Sequence, residues 1–403
     1  MAGTEYRDDR PAFAGTGGRI PAAFQDLPTP CYILDERALR RNGEILGKLA
    51  QETGCRILLA QKAFSNYDLY PVLQPYLAGT EASGLYEARL GAEEMPDREV
   101  HAFCAAYRAE DMEELLKYAD HIVFNSPSQL AAFGPMTKAA GKSVGLRINP
   151  EHSTQEEHAI YDPCAPGSRM GTTRAQWDEA IGKNPELLDL LDGLHFHTLC
   201  EQGADDLETT LKAVEEQFGP YLHEVKWLNM GGGHHITRED YDVNLLISEI
   251  KRIRETYNLE VYIEPGEAIA LNAGYLATEV LDIVENGMDI LVLDASATCH
   301  MPDVLEMPYR PPLRNGFEAK EKAHTYRLSS NTCLTGDIIG DYSFEKPIEI
   351  GDRLYFEDMA IYSFVKNNTF NGIGLPSLYL MDEQGNCSLV KAFGYQDFKG
   401  RLS

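Results

Sequence analysis

Eight short apolar runs recur between residues 57 and 264, most followed by a helical pattern, and nothing else in the chain constrains its fold as tightly. The runs are Ile57–Lys62, Gly79–Ser83, Val100–Cys104, His121–Asn125, Val144–Asn149, Gly193–Thr198, Val225–Met230 and Val261–Glu264. Apolar residues at helical spacing fill Tyr86–Glu93, Ala109–Tyr118, Pro127–Ala140, Arg174–Gly182, Asp206–Phe218 and Asn244–Tyr257. Short continuous apolar runs are what strands buried on both faces look like, and eight of them alternating with helices predict a (β/α)8 TIM barrel. A doubly wound sheet is the alternative.

Beyond residue 270 the texture changes. Tyr275–Val284, Asp289–Asp294, Tyr326–Ser330, Arg353–Glu357, Ser377–Leu380 and Ser388–Val390 read as strands interrupted by Gly, Pro, Asn and Asp. They predict a β-rich C-terminal domain over 271–403, with the short strand near 30–34 as a further candidate member. The barrel domain is expected over 29–270 and a loosely ordered N-terminal arm over 1–28. Pro302–Gly316, rich in Pro and Arg, is expected as a long loop.

The formal net charge of −27 excludes a nucleic-acid partner, which needs clustered Lys and Arg, and favours a cationic small molecule. No apolar run spans a bilayer, so no membrane partner is expected. The eight cysteines at positions 31, 55, 104, 164, 200, 299, 333 and 387 form no CxxC pair. That argues against a zinc ribbon or disulfide scaffold and for a cytoplasmic location.

In a barrel the working residues lie at the C-terminal ends of strands, with phosphate commonly held after strands 7 and 8. Lys62 ends the first run. A lysine there is either a paired surface charge or a desolvated nucleophilic amine that condenses with a carbonyl. His195 and His197 lie on the sixth run with side chains turned to the same side, Gly231-Gly232-Gly233 follow the seventh, and Glu264-Pro265-Gly266 stands at the end of the eighth. Three glycines let backbone approach an anion closely. A lysine facing a phosphate loop and a strand-8 carboxylate suggests pyridoxal 5'-phosphate: Lys62 takes the aldehyde, the glycines the phosphate, and Glu264 the pyridine nitrogen. The rival is a metal-dependent barrel hydrolase using His195, His197, His234, His235, Glu264 and Asp294. Such an HxH pair is expected on the first strand, with lysine later; here the order is reversed, and no metal is expected.

With Lys62 in Gln61-Lys62-Ala63, His197, the glycine loop and Glu264-Pro265-Gly266 in this order, the chain resembles the alanine racemase-like pyridoxal-phosphate enzymes. Among them it is closest in pattern to the basic amino acid decarboxylases acting on ornithine or diaminopimelate. The resemblance runs over nearly all of 29–400. It implies that His197 stacks on the cofactor ring, that Gly231, Gly232, Gly233 and Gly266 line the cofactor, and that Tyr362 contacts phosphate. It further implies that Cys333, in Cys333-Leu-Thr-Gly-Asp337, comes from the neighbouring subunit of a homodimer and returns a proton to the substrate. Two departures matter. Leu334 stands where those families place an acidic residue for the distal amine, and Glu267 stands where they place a phosphate-binding arginine.

Glu264-Pro-Gly-Glu267, His300-Met-Pro-Asp303, Cys333-Leu-Thr-Gly-Asp337 and His195-Phe-His197-Thr-Leu-Cys-Glu-Gln202 are similar to the carboxynorspermidine/carboxyspermidine decarboxylases of polyamine biosynthesis. This implies a carboxylated polyamine substrate, with Glu267 and Asp303 on its ammonium groups and His300 and Asp337 beside it. Arg310 and Arg314 are candidates for its α-carboxylate. The alternatives are a diaminopimelate- or ornithine-type decarboxylase, and a non-catalytic pyridoxal-phosphate carrier.

Overall fold

A computed structural model describes residues 20–155 and 162–403. Residues 1–19, most of the expected arm, lie outside the described residues. The chain divides into two compact units, Arg40–Ile269 and Met1–Leu39 with Ala270–Ser403.

The first strand, β1 (Cys31–Asp35), belongs to the second of these units. The barrel unit then contributes β2 (Arg56–Ala60), β3 (Gly79–Ala82), β4 (Glu99–Phe103), β5 (His121–Phe124), β6 (Ser143–Arg147), β7 (Gly193–His195), β8 (Trp227–Asn229) and β9 (Glu260–Ile263). All neighbours are parallel, and β9 closes on β2 through Arg56 opposite Tyr262. The eight-stranded barrel expected from the alternation is therefore present, with six strands one to three residues shorter than their apolar runs and two, β4 and β9, of equal length.

The helices follow from capping and one-sided apolarity. Ser126 accepts from Gln129 N–H at the start of Pro127–Ala139, and Asp242 accepts from Leu245 N–H at the start of Val243–Tyr257. Ala204–Leu222 buries Leu207, Leu211, Val214, Phe218 and Leu222, a stripe at three- and four-residue spacing.

Leu58, Val123, Trp227 and Tyr262 fill the barrel interior. Trp227 has room because two neighbouring strands carry no side chain beneath it. A Cβ on Gly193 would lie 1.9 Å from Trp227 Cδ2, and one on Gly145 2.5 Å from Trp227 Cη2. The indole is pinned by its N–H to Ser143 Oγ at 2.9 Å and cannot swing aside. Gly193→Ala is therefore expected to destabilise the fold by about 3 kcal/mol through overpacking, read as a lower urea midpoint at unchanged slope.

In the other unit, β10 (Gly274–Glu285), β11 (Asp289–Leu293), β12 (Phe317–Glu318), β13 (His324–Ser330), β14 (Ile338–Phe344), β15 (Arg353–Glu357), β16 (Ser377–Met381) and β17 (Cys387–Lys391) join β1 in one sheet. Its order is β12-β14-β13-β11-β10-β1-β16-β17, with β15 paired to β10. β1 is held on both sides, antiparallel to β10 and parallel to β16. The chain thus enters the barrel unit at Arg40, later than the expected residue 29. β14 escapes sequence reading because Gly340 and Asp341 interrupt its apolar run. Two pieces expected to be irregular are ordered: Ala22–Phe24 forms a helical turn that buries Phe24 against Tyr275 and Tyr355, and Asp303–Glu306 is a short helix inside Pro302–Gly316. No helix among the described residues is long and apolar enough to cross a membrane.

Candidate active site

The C-terminal ends of the barrel strands bring the sequence-predicted residues together. Lys62 lies two residues beyond β2, His195 ends β7, Gly231 lies two residues beyond β8, and Glu264 follows β9 directly. Lys62, Glu81, Arg147, His195, His197 and Glu264 line one cavity of about 560 Å³, a size that suits a cofactor or small-molecule ligand.

Lys62 Nζ is 3.7 Å from Glu81 Oε2. Burial pushes the Glu81 carboxyl up to about 8, partly opposed by Lys62 and reinforced by Glu264. Glu264 behaves oppositely. Burial alone would raise it, but His195 and Lys62 outweigh that and hold it down at about 2. Both Glu264 oxygens are engaged: Oε2 lies 3.1 Å from His195 Nε2, and Oε1 accepts from Asn229 Nδ2 at 2.6 Å. The site therefore contains one carboxyl biased toward its neutral form and one fixed as an anion.

Burial, then Lys62 and Arg147, hold His197 well below its ordinary value, so its imidazole is neutral. Its Nδ1 accepts from Gly232 N–H at 3.0 Å, which places the ring proton on Nε2 and fixes the orientation of the ring. Arg147 donates to the His197 carbonyl at 3.0 Å and stacks over Phe103, 4.6 Å from the ring centre.

The glycine loop works differently from a simple row of amides. Gly231 N–H donates to Asn229 Oδ1 at 2.9 Å and Gly232 N–H to His197, so both are committed within the protein. Gly233 N–H enters no hydrogen bond among the described residues. Glycine is needed at all three positions because a Cβ would come within 2.3 Å of Phe196 O, 2.4 Å of Glu264 O or 2.0 Å of Leu199 O. A Cβ on Gly266 would meet Ala63 Cβ at 2.6 Å, which fixes the approach of the β9 end to the lysine turn.

Three of the residues considered for the rival metal centre are engaged within the protein. His195 is committed to Glu264, His197 to the glycine loop, and Asp294 accepts from Thr278 Oγ1 at 2.6 Å in the sheet unit. Among the described residues two His and carboxylate clusters could hold an ion, Glu99–His101–His121 and Glu201–His235–Glu267, and of these only His235 belongs to the rival set. In the second, Glu267 Oε2 lies 3.3 Å from His235 Nε2, and burial together with Glu267 raises the Glu201 carboxyl.

In the sheet unit, Cys333 is exposed on the loop after β13, its N–H held by Asn371 Oδ1 at 2.9 Å. Leu334 and Phe370 beside it are each 43% exposed. Two residues expected beside the substrate are buried and hydrogen-bonded within the protein. Asp337 is buried, with Oδ2 accepting from Ser296, Ser330 and Thr332 hydroxyls at 2.6 Å each and Oδ1 from Thr298 N–H at 3.2 Å. It braces the Cys333 loop. His300 is also fully buried, its ring nitrogens held by Ser296 N–H at 3.2 Å and the Gly374 carbonyl at 3.1 Å. Of the arginines, Arg314 forms a buried ion pair with Glu357, and Arg310 pairs with Glu318. Asp303 shares Lys366 with Glu306. Tyr362 adopts a left-handed backbone, φ 47°, uncommon for a bulky residue and frequent at functional sites.

The barrel residues fit pyridoxal phosphate. They offer an amine for the aldehyde, a buried anion for a protonated ring nitrogen, a neutral imidazole of fixed orientation, and an uncommitted Gly233 N–H beside side-chain-free backbone. Glu81 Oε2 is buried without a hydrogen-bond partner among the described residues, as a wall of an interior built for a polar occupant. Glu81, Arg147, Asn229 and Glu201 were missed from sequence. The first three end or nearly end β3, β6 and β8, so a polar residue closing an apolar strand was the available signal.

A family model described as "Pyridoxal-dependent decarboxylase, C-terminal sheet domain" matches residues 31–360. A carboxynorspermidine/carboxyspermidine decarboxylase of Campylobacter jejuni is 40% identical over 389 residues, spanning 94% of this chain and 99% of the relative. A carboxyaminopropylagmatine decarboxylase of Synechocystis is 40% identical over 381 residues, spanning 94% and 96%. The crystal structure of the Campylobacter jejuni carboxynorspermidine decarboxylase, complexed with norspermidine, superposes with a TM-score of 0.84 at 39% identity, covering 93% of this chain and all of that one. By sequence, fold and site chemistry together, the chain belongs to the pyridoxal-dependent decarboxylases, in the group that holds the carboxynorspermidine/carboxyspermidine decarboxylases.

Proposed function

We propose that this enzyme removes the α-carboxylate of carboxynorspermidine or carboxyspermidine, releasing CO2 and norspermidine or spermidine. The observation that carries the reaction is the cavity in which Lys62, an ionised Glu264 and a neutral His197 converge. Pyridoxal phosphate, when bound, supplies a sink for the electron pair left on Cα as CO2 departs. Lys62 would hold the cofactor at its aldehyde. Glu264 holds a proton at the ring nitrogen, stabilising charge as it develops. His197, neutral and held by Gly232 N–H, would lie against the ring. The side-chain-free backbone of Gly231–Gly233 and Gly266 would line the phosphate end, with Gly233 N–H able to donate to it. Cys333, contributed across a homodimer interface, delivers a proton to Cα; its exposure beside the apolar Leu334 and Phe370 supports that reading. A cytoplasmic location fits the unpaired cysteines.

Specificity rests on the far end of the substrate. Glu267 brings a carboxylate where the ornithine and diaminopimelate enzymes resembled here carry an arginine, and Glu201 and His235 stand beside it. Glu267→Gln is expected to raise KM for carboxynorspermidine about 10- to 100-fold with a smaller change in kcat, the loss of one charge-assisted hydrogen bond. An unchanged KM would remove Glu267 from the substrate site. A second reading is favoured by the equal identity to the Synechocystis relative: the Glu201–Glu267 pair also suits a guanidinium, which takes two carboxylates in a planar fork. Measuring CO2 release from carboxynorspermidine, carboxyspermidine, carboxyaminopropylagmatine, diaminopimelate and ornithine tests both readings. Fastest turnover of diaminopimelate or ornithine would sink them together.

A further inference from the structure

Asn229, the last residue of β8, is fully buried and touches two groups assigned above to opposite ends of the cofactor. Its Nδ2 donates to Glu264 Oε1 at 2.6 Å, and its Oδ1 accepts from Gly231 N–H at 2.9 Å. The orientation of the amide is dictated by chemistry, because a carboxylate can only accept and a backbone N–H can only donate. The main chain repeats the link, with Glu264 N–H donating to Gly231 O at 2.7 Å.

This makes a short, stiff connection from the ring-nitrogen carboxylate to the phosphate loop. Gly231 cannot relax away from it: its φ is +69°, and Phe196 O lies 2.3 Å from where a Cβ would stand. Glu264 is tethered on its other oxygen by His195 at 3.1 Å. The amide cannot rotate without leaving a buried donor or a buried anion unpaired, which is costly in a dry interior. An aspartate of the same size would supply no donor and would set a second carboxylate against Glu264. A leucine would leave both partners unpaired.

We propose that Asn229 is a positioning residue that couples the two anchor points of the cofactor, so that the hold on the phosphate and the hold on the ring nitrogen strengthen one another. The proposal rests on the assignment of Glu264 to the ring nitrogen and of the glycine loop to the phosphate. A displacement of the loop reaches the carboxylate through one rigid amide, and the reverse displacement travels the same way.

The test uses the full chain stripped of cofactor. Dissociation constants are measured by visible absorbance for pyridoxal 5'-phosphate and for pyridoxal, which lacks the phosphate. The quantity of interest is the ratio of the two constants. With Asn229 present, Glu264→Gln is expected to shrink that ratio about tenfold, the size of coupling found between residues of one hydrogen-bonded network. In Asn229→Ala, and in the near-isosteric Asn229→Asp should the alanine variant not fold, adding Glu264→Gln is expected to leave the ratio within about twofold. If Glu264→Gln weakens both ligands equally with Asn229 present, or if its effect on the ratio survives in the Asn229 variants, the coupling role is overturned while the ring-nitrogen assignment stands. If Glu264→Gln changes neither constant, both are overturned.

Discussion

Lys62→Ala is expected to abolish the visible absorbance of the bound cofactor and to lower turnover by on the order of 10⁴-fold or more. The size follows from what the side chain does and from what surrounds it. Its Nζ lies 3.7 Å from Glu81 in a cavity whose other cations are guanidinium groups, Arg169 and Arg147, the latter committed to the His197 carbonyl and the Phe103 ring. Among the described residues no second amine lines this cavity to take the aldehyde. The substitution also removes the cation beside two carboxyl groups. Glu81, already biased toward its neutral form, then rises further, and Glu264 loses one of the charges that hold it low. Absorbance of the purified variant with added pyridoxal phosphate, and CO2 release with carboxynorspermidine, read the two effects separately. Retained turnover would end the proposed mechanism.

Cys333→Ala is expected to lower kcat by about 10²- to 10³-fold while changing KM little, the pattern of a group that moves a proton in the transition state and does not bind the ground state. The loop should survive the change. Its shape is set by Asp337, which gathers three hydroxyls and a backbone N–H, and by Asn371, which holds the Cys333 N–H. None of these contacts involves the thiol. Product analysis in deuterated solvent sharpens the reading, since a misplaced proton donor should give label of mixed stereochemistry at the former Cα. A variant with wild-type kcat would remove Cys333 from the chemistry. Mixing inactive Cys333→Ala with inactive Lys62→Ala chains tests the shared-site homodimer, because mixed dimers should recover part of the activity.

The barrel was legible because its signal is repeated eight times and each repeat is simple: strands such as Ile57–Ala60 are buried on both faces, so they need apolar residues without interruption. β14 was not, because a sheet on a single layer tolerates a glycine and an aspartate mid-strand, as at Gly340 and Asp341. β1 was ambiguous for a related reason. Five buried residues in a row suit a barrel strand and a central sheet strand equally, and only its pairing to β10 and β16 decides between them.

The sequence by itself determined that Lys62, His197, the glycines and Glu264 stand at strand ends, since strand-end position follows from chain order once the barrel is accepted. It also determined that Glu267 brings an acid where an arginine belongs in the resembled enzymes. Only the tertiary structure decided which polar groups are committed to one another. Asp337 and Asp303 both read as acidic loop residues, yet one is enclosed by hydroxyls and the other pairs with Lys366. Glu81, Asn229 and Glu264 are far apart in sequence, and their opposite electrostatic fates come from neighbours that the fold supplies: Lys62 and burial for Glu81, His195 and the Asn229 amide for Glu264. Residue type fixes which bonds a side chain can make. Which partner lies within about 3 Å is a property of the closed barrel, because hydrogen bonding and charge interaction act over distances that sequence separation does not measure.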